Sequence, residues 1–281
     1  DNLGFWGGMA MRRRSIGIFL LVLILMGGLM LRLYDLSGQD LSQAADRQAG
    51  LTVTVANARG TIYDANLRPL VNAGTEYRVS LTASPEALAA VSSCMDAGAL
   101  EALTERLQEG KPVAAVLDSL PAPADGLAMF ETPVRYTEPL LAPHILGYLD
   151  GDGLHGATGA ELVFDERLNA CAGKAETTYT VDATGRPLQG IAPTLSNTLD
   201  RAKAGVALTI DADIQKIAEN AARQYLQKGA VVVMEPSTGR IAAMVSLPDF
   251  QPSTVAENLN NTDAPLLNRA LCNYNCGSVF K

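Results

Sequence analysis

Asn275-Cys276-Gly277-Ser278-Val279-Phe280-Lys281 sets the reading of everything before it. Ser278 and Lys281 form S-x-x-K, a signature of serine acyl-enzyme chemistry. If Ser278 opens a helix, Lys281 lies one turn on, on the same face and within reach of the hydroxyl. A serine hydroxyl is a poor nucleophile until a neighbour takes its proton. A lysine does so when burial lowers its pKa enough to leave it neutral. The helix start also leaves backbone N–H groups free to bind a developing oxyanion. Alone the tetrapeptide is weak, because any helix start can carry the pair by chance.

The stretch before it has a regular order. Val206-Ala207-Leu208-Thr209-Ile210 reads as a short strand, and Asp211 or Asp213 can cap the helix that follows. Ile214, Ile217, Ala218, Ala221, Ala222, Tyr225 and Leu226 keep one apolar face for three turns, and Gly229 is read as the stop. Ala230 to Met234 reads as a buried strand, Glu235 to Gly239 as a turn, and Arg240 to Ser246 as the returning strand. The order strand, helix, hairpin, loop, serine describes a helix packed on an antiparallel sheet.

Further back, Thr52 to Val55 is β-branched enough for a strand. Arg59-Gly60-Thr61-Ile62-Tyr63-Asp64 follows, then a turn at Asp64-Ala65-Asn66 and a second strand into Leu70-Val71. Ser84-Pro85-Glu86 starts a helix with a capping serine and proline at the first helical position. Leu100, Leu103 and Leu107 form a second helical stripe ended by Gly110, and Leu120 to Asp125 is a loop. For His144 the residue pattern favours a hydrogen-bonded structural histidine. Tyr179 to Val181 with Asp182 to Arg186 reads as a strand and a turn, and Thr194 to Lys203 as a linker.

Several of these runs resemble the class B penicillin-binding proteins. Arg59, Gly60, Asp64 and Asn66 match that family's R-G-x-I-x-D-x-N motif, with Ala65 where arginine is common. Pro143 to Tyr148 resembles its H-x-x-G-Y stretch, and Gly156 to Glu161 its G-x-x-G-x-E stretch. Gly229 to Gly239, Pro248-Asp249-Phe250-x-Pro252 and Asn268-Arg269-Ala270-Leu271 resemble the segments that lead to its serine. Cys276 stands where proline is frequent, and packing as a small apolar residue is its default reading.

The resemblance implies an α+β chain. It comprises a mostly β pedestal with a small helical lobe over residues 50–203, then the start of a β-lactamase-like transpeptidase domain over residues 204–281. It implies Ser278 as nucleophile, Lys281 as base, and Arg59, Gly60, Asp64 and Glu161 as structural ties of the pedestal. The implied activity is peptidoglycan D,D-transpeptidation with no cofactor and no metal. Stem peptides, β-lactams and other cell-wall synthesis proteins are the implied partners. The family's S-x-N and K-T-G motifs would lie beyond Lys281, so the chain reads as an incomplete piece. The alternatives are a membrane-anchored scaffold and a penicillin sensor or β-lactamase, although the latter two normally lack such a pedestal. No glycosyltransferase domain fits between Leu36 and the pedestal, against a bifunctional class A enzyme.

Composition narrows the classes. With 48% hydrophobic and 19% charged residues the chain is of folded type, and a net charge of −8 argues against a nucleic-acid partner. Two histidines, His144 and His155, leave little for a zinc site or a Ser-His-Asp triad, and four scattered cysteines make no disulfide framework. Residues 15–31 carry no charge and would span about 26 Å as a helix. Arg12-Arg13-Arg14 precede the run, and Asp35 and Asp40 follow it. The expectation is a single-pass anchor at residues 11–35, with the N-terminus cytoplasmic and the bulk outside the cell membrane. A cleaved signal peptide is the rival, but Arg32-Leu33-Tyr34-Asp35 is no cleavage site. Residues 1–10 read as a leader of no clear role, a tag or sequence upstream of a start at Met9 or Met11.

Overall fold

The structure is a computed structural model that describes residues 18–34, 50–188 and 190–274. The chain divides at Gly50 into two units. In the first, residues 18–34 form helix α1, whose side chains are all exposed. The sequence reading expected a membrane anchor here. The helix has 17 residues, includes Arg32, and reaches about 26 Å where a bilayer core is about 30 Å. Among the described residues, no helix is long and apolar enough to cross a membrane. The basic triplet Arg12 to Arg14 and the acidic Asp35 and Asp40 lie outside the described residues.

The second unit begins at Leu51. Its strands are β1 (Gly50–Ala58), β2 (Thr61–Tyr63), β3 (Gly74–Leu81), β4 (Val113–Leu117) and β5 (Leu127–Val134). Strand β3 runs antiparallel to both β4 and β5, pairing Tyr77 with Leu117 on one side and with Glu131 on the other. Between β3 and β4 the expected helical lobe is present as α2 (Pro85–Ser92) and α3 (Ala97–Leu107). Ser84 and Asp96 start them by accepting hydrogen bonds from the N–H groups of Ala87 (3.0 Å) and Ala99 (2.9 Å). Val91, Leu103 and Leu107 bury themselves on Val79, Leu81 and Leu117 of the sheet.

Three short helices follow: α4 (Pro143–Leu146), α5 (Gly159–Val163) and α6 (Asp165–Ala170). A second sheet has the order β1, β6 (Gly173–Thr180), β7 (Thr194–Asn197). Helix and strand are closer to balance than the mostly β pedestal that was expected. Two local expectations are corrected. The supposed linker at Thr194 holds strand β7, paired antiparallel to β6, followed by a 3-10 turn at Leu199–Lys203. All four β7 residues are exposed, so no apolar alternation announces it. The supposed strand after Asn66 contributes one bridge, Tyr63 to Pro69. There the Asp64 carboxylate takes the N–H groups of Asn66 (2.9 Å) and Arg68 (2.8 Å) and holds the chain in a turn.

Strand β8 (Gly205–Ala207) lies parallel to β2, so a strand pair crosses the expected boundary at residue 204. A Cβ on Gly205 would stand 1.8 Å from the Thr61 carbonyl oxygen, so this pairing needs glycine. Helix α7 (Ala212–Tyr225) then packs Ala218 and Ala222 on Ala243, Val245 and Leu247 of the hairpin β9 (Gly229–Met234) and β10 (Ile241–Leu247). Its details differ from the sequence reading. The helix ends at Tyr225, and Gly229 opens β9. Ile217 and Tyr225 are 69% and 77% exposed, while Gln215 and Glu219 complete the buried face. Strand β9, expected to be buried, exposes Val232, Val233 and Met234.

Candidate active site

Ser278, Lys281 and Cys276 lie outside the described residues. What is described is the chain that delivers them. Its last turn, Arg269–Leu271, is fastened to β10 by one hydroxyl. Ser246 Oγ donates to the Leu267 carbonyl (3.0 Å) and accepts from the Arg269 N–H (3.0 Å). The Arg269 side chain is buried, and its guanidinium gathers the carbonyl oxygens of Asp263 (2.5 Å) and Ala264 (3.1 Å). Asn268 caps the turn at the Ala270 N–H (3.1 Å). An open cleft of about 490 Å³ lies against this turn, lined by Lys228, Gly229, Val232, Arg269, Cys272 and Tyr274.

The pedestal residues that the resemblance named fall into two networks. In the first, Glu161 is fully buried between two arginines. Arg135 Nε donates to its Oε1 at 2.8 Å, with Nη2 in charge contact at 2.7 Å without a hydrogen bond, and the Tyr136 hydroxyl donates to the same oxygen at 3.0 Å. Arg59 Nη2 stands 3.5 Å from Oε2, a charge contact longer than a hydrogen bond, because it turns to Asp165 at 2.9 Å. Arg59 also donates to Asn169 (2.8 Å) and to the Leu154 carbonyl. Burial, then the charge of Glu161, push the Tyr136 phenol well above its usual range. Asp165 is held well below the carboxylate range by its hydrogen bond from His155, then by the Gly156 N–H and Arg59. Gly60 is wedged here: an added Cβ would lie 2.9 Å from that of Cys171 and 3.0 Å from the Ala204 carbonyl.

Asp64 belongs to the second network. Its buried carboxylate accepts from Arg68 Nε (2.8 Å) and from the N–H of Ala212 (3.2 Å), the first residue of α7. Burial raises its pKa, but the hydrogen bonds from Arg68, Ala212 and Asn66 outweigh burial and leave it below the ordinary value. Arg68 reaches on to Asp213 (2.8 Å), and Asn66 to Asp211 (2.8 Å). The R-G-x-I-x-D run is therefore a tie between the first strands and the helix that precedes the β9–β10 hairpin.

Sequence reasoning missed Arg135, Asp165, Gln215 and Glu219. The i, i+4 spacing of Gln215 and Glu219 on the apolar side of a helix was the one available signal. The Gln215 amide pairs with the backbone of Met244, donating to its carbonyl at 2.9 Å and accepting from its N–H at 2.8 Å. Glu219 accepts from Gln215 (2.9 Å), from the Ala142 N–H (2.8 Å) and from Arg223 (3.0 Å). Among the described residues no group of side chains could hold a metal ion.

No protein-family model matches the chain. It is similar to a peptidoglycan D,D-transpeptidase FtsI homolog of Chlorokybus atmophyticus, 26% identical over 80% of this chain and 36% of that protein. It is also similar to the peptidoglycan D,D-transpeptidase MrdA of Escherichia coli, 26% identical over 92% of this chain and 48% of that one. Stage V sporulation protein D of Bacillus subtilis is 31% identical over 49% of this chain and 21% of its own length. The chain thus spans half or less of the length of the relatives it matches. These relatives support the reading of the chain as a class B penicillin-binding protein.

Proposed function

We propose that this chain is the anchor, pedestal and nucleophile-bearing part of a peptidoglycan D,D-transpeptidase. The observation that carries the proposal is the S-x-x-K pair Ser278 and Lys281, nine residues after Arg269, in a chain whose relatives bear that name. In this reading residues 50–203 are the pedestal and residues 204–281 the first part of the catalytic domain. Neutral Lys281 takes the proton of Ser278, whose Oγ attacks the carbonyl carbon between the two terminal D-alanines of a stem peptide. The last D-alanine leaves with a proton, and the rest of the stem remains as a serine ester. An amine of a neighbouring stem then attacks the ester and frees the serine. In both steps an oxyanion forms on the attacked carbonyl, which this chemistry meets with preorganised hydrogen-bond donors.

A β-lactam imitates the acyl donor and traps the serine as a long-lived ester. The test uses a protein that carries these 281 residues followed by the family's S-x-N and K-T-G motifs. A fluorescent penicillin should label it at Ser278, and Ser278→Ala should abolish labelling. No labelling of wild type, or equal labelling without Ser278, would leave the anchored scaffold as the reading.

We further propose that residues 11–35 anchor the protein as a single pass with residues 36–281 outside the cytoplasm. The uncharged run 15–31 behind Arg12 to Arg14 supports this. A reporter active only outside the cytoplasm, fused after Gly50, should work; activity of a cytoplasm-only reporter there would refute it.

A further inference from the structure

We propose that His144, in the pedestal, is a positioning residue for Ser278, acting through the backbone of the loop that leads to it. The inference rests on the transpeptidase reading above. His144 Nε2 lies 2.7 Å from the carbonyl oxygen of buried Pro265. A carbonyl only accepts, so Nε2 carries the proton. The imidazole stands edge-on to Phe250 at 5.1 Å, and Phe250 in turn meets Tyr148 at 5.8 Å. Burial lowers the His144 pKa from the ordinary 6.5, against the hydrogen bond to the Pro265 carbonyl, which raises it.

Pro265 lies in the middle of the segment whose other fixed points have been described. Ser246 holds Leu267 and Arg269, and the Arg269 guanidinium draws in the carbonyls of Asp263 and Ala264. The pedestal also touches the chain further upstream, through the Leu140 N–H on Gln251 (2.8 Å) and Ser253 on Glu138. Both sides of the His144 contact carry backbone strain. Ala264, just before Pro265, has φ +46°, and Ala142, two residues before His144, has φ +54°. Alanine gains nothing from that conformation, and such residues persist where surrounding contacts over-determine them. Ala142 is held by Glu219 on its N–H, and Ala264 by Arg269 on its carbonyl. A free loop would relax both angles. Here a strained residue lies close in sequence to each end of one histidine hydrogen bond, which ties the Asp263–Arg269 stretch to the pedestal.

The experiment measures the rate of acylation by a fluorescent penicillin in the longer protein described above, with thermal unfolding and the affinity of the pre-acylation complex alongside. His144→Phe keeps a ring beside Phe250 and removes the donor. We expect a roughly ten- to hundredfold slower acylation, the scale of a small misplacement of a reacting group, with affinity nearly unchanged. His144→Gln, whose amide nitrogen reaches the place of Nε2, should recover most of the rate, and the shorter His144→Asn should not. Comparing the two amides keeps the test valid if the phenylalanine variant fails to fold. Wild-type rates in His144→Phe, or equal rates in the Gln and Asn variants, would overturn the proposal. Failure of wild type itself to label would instead count against the transpeptidase reading.

Discussion

Glu161 is fully buried, and among the described residues its charge is met by Arg59, Arg135 and the Tyr136 hydroxyl. Removing one member of such a group leaves the others charged and desolvated, which typically costs about 3–5 kcal/mol. Glu161→Gln should lower the unfolding free energy by that order, read as a lower urea midpoint at unchanged slope; a shift near zero would mean the arginines find other partners. The His155–Asp165 contact at 3.0 Å predicts a pH dependence. Its hydrogen bond to Asp165, then the aspartate's charge, raise the His155 pKa above the ordinary 6.5. Its contribution is therefore complete below pH 6.5 and is lost as pH rises through the raised folded value. Asp165 has the opposite sign: its contribution is present above pH 3.8 and is lost as pH falls through its depressed folded value. Comparing wild type with His155→Ala from pH 5 to 9, the stability difference should shrink towards the alkaline end; a constant difference would contradict the assignment. Of this network the sequence made Arg59 and Glu161 legible, through motifs that recur at known spacings. Arg135 sits at the end of β5 in no motif, and a lone arginine there reads as a solvated side chain.

Helix α7 shows how an element can be recognised correctly and its face misread. Apolar spacing found the helix, and the capping aspartate was also legible: Asp211 accepts from the N–H groups of Asp213 (2.9 Å) and Ile214 (3.2 Å). Counting apolar residues then put Ile217 and Tyr225 inside, where the structure has Gln215 and Glu219. A polar side chain can replace an apolar one in a core when backbone groups there need partners, and periodicity alone carries no sign of that need. Gln215 supplies both a donor and an acceptor to Met244, as a neighbouring strand would. Gln215→Leu fits the apolar count better, yet it should destabilise by about 1–3 kcal/mol, because buried polar groups lose their partner. Chemical denaturation decides the matter. A leucine variant as stable as wild type would show that Met244 and Glu219 are satisfied without the amide.

For the whole molecule, a domain boundary read from motifs need not be a boundary in contact. The motifs placed one at residue 204, yet β8 pairs with β2, and the Asp64 carboxylate receives the first N–H of α7. Composition cannot show this, since β2 and β8 have three residues each and Asp64 lies 148 residues from Ala212. The ties from Asp64, Arg68 and Asn66 make α7 depend on the pedestal for the order of its first turn. Asp64→Ala should therefore loosen α7 while sparing the β4-β3-β5 sheet, whose core of Val79, Leu81, Val91 and Leu103 is separate from the cluster that holds Ile62 and Val206. Native-state hydrogen exchange reads the two separately. In wild type, amides of β2, β8 and the first turn of α7 should exchange with similar protection. In Asp64→Ala those of β8 and α7 should exchange faster, with β3 unchanged. If β3 loses protection equally, the second unit unfolds only as a whole and Asp64 is no separate tie. If α7 keeps its protection, the Asp211 cap and the packing on β10 hold it without the pedestal.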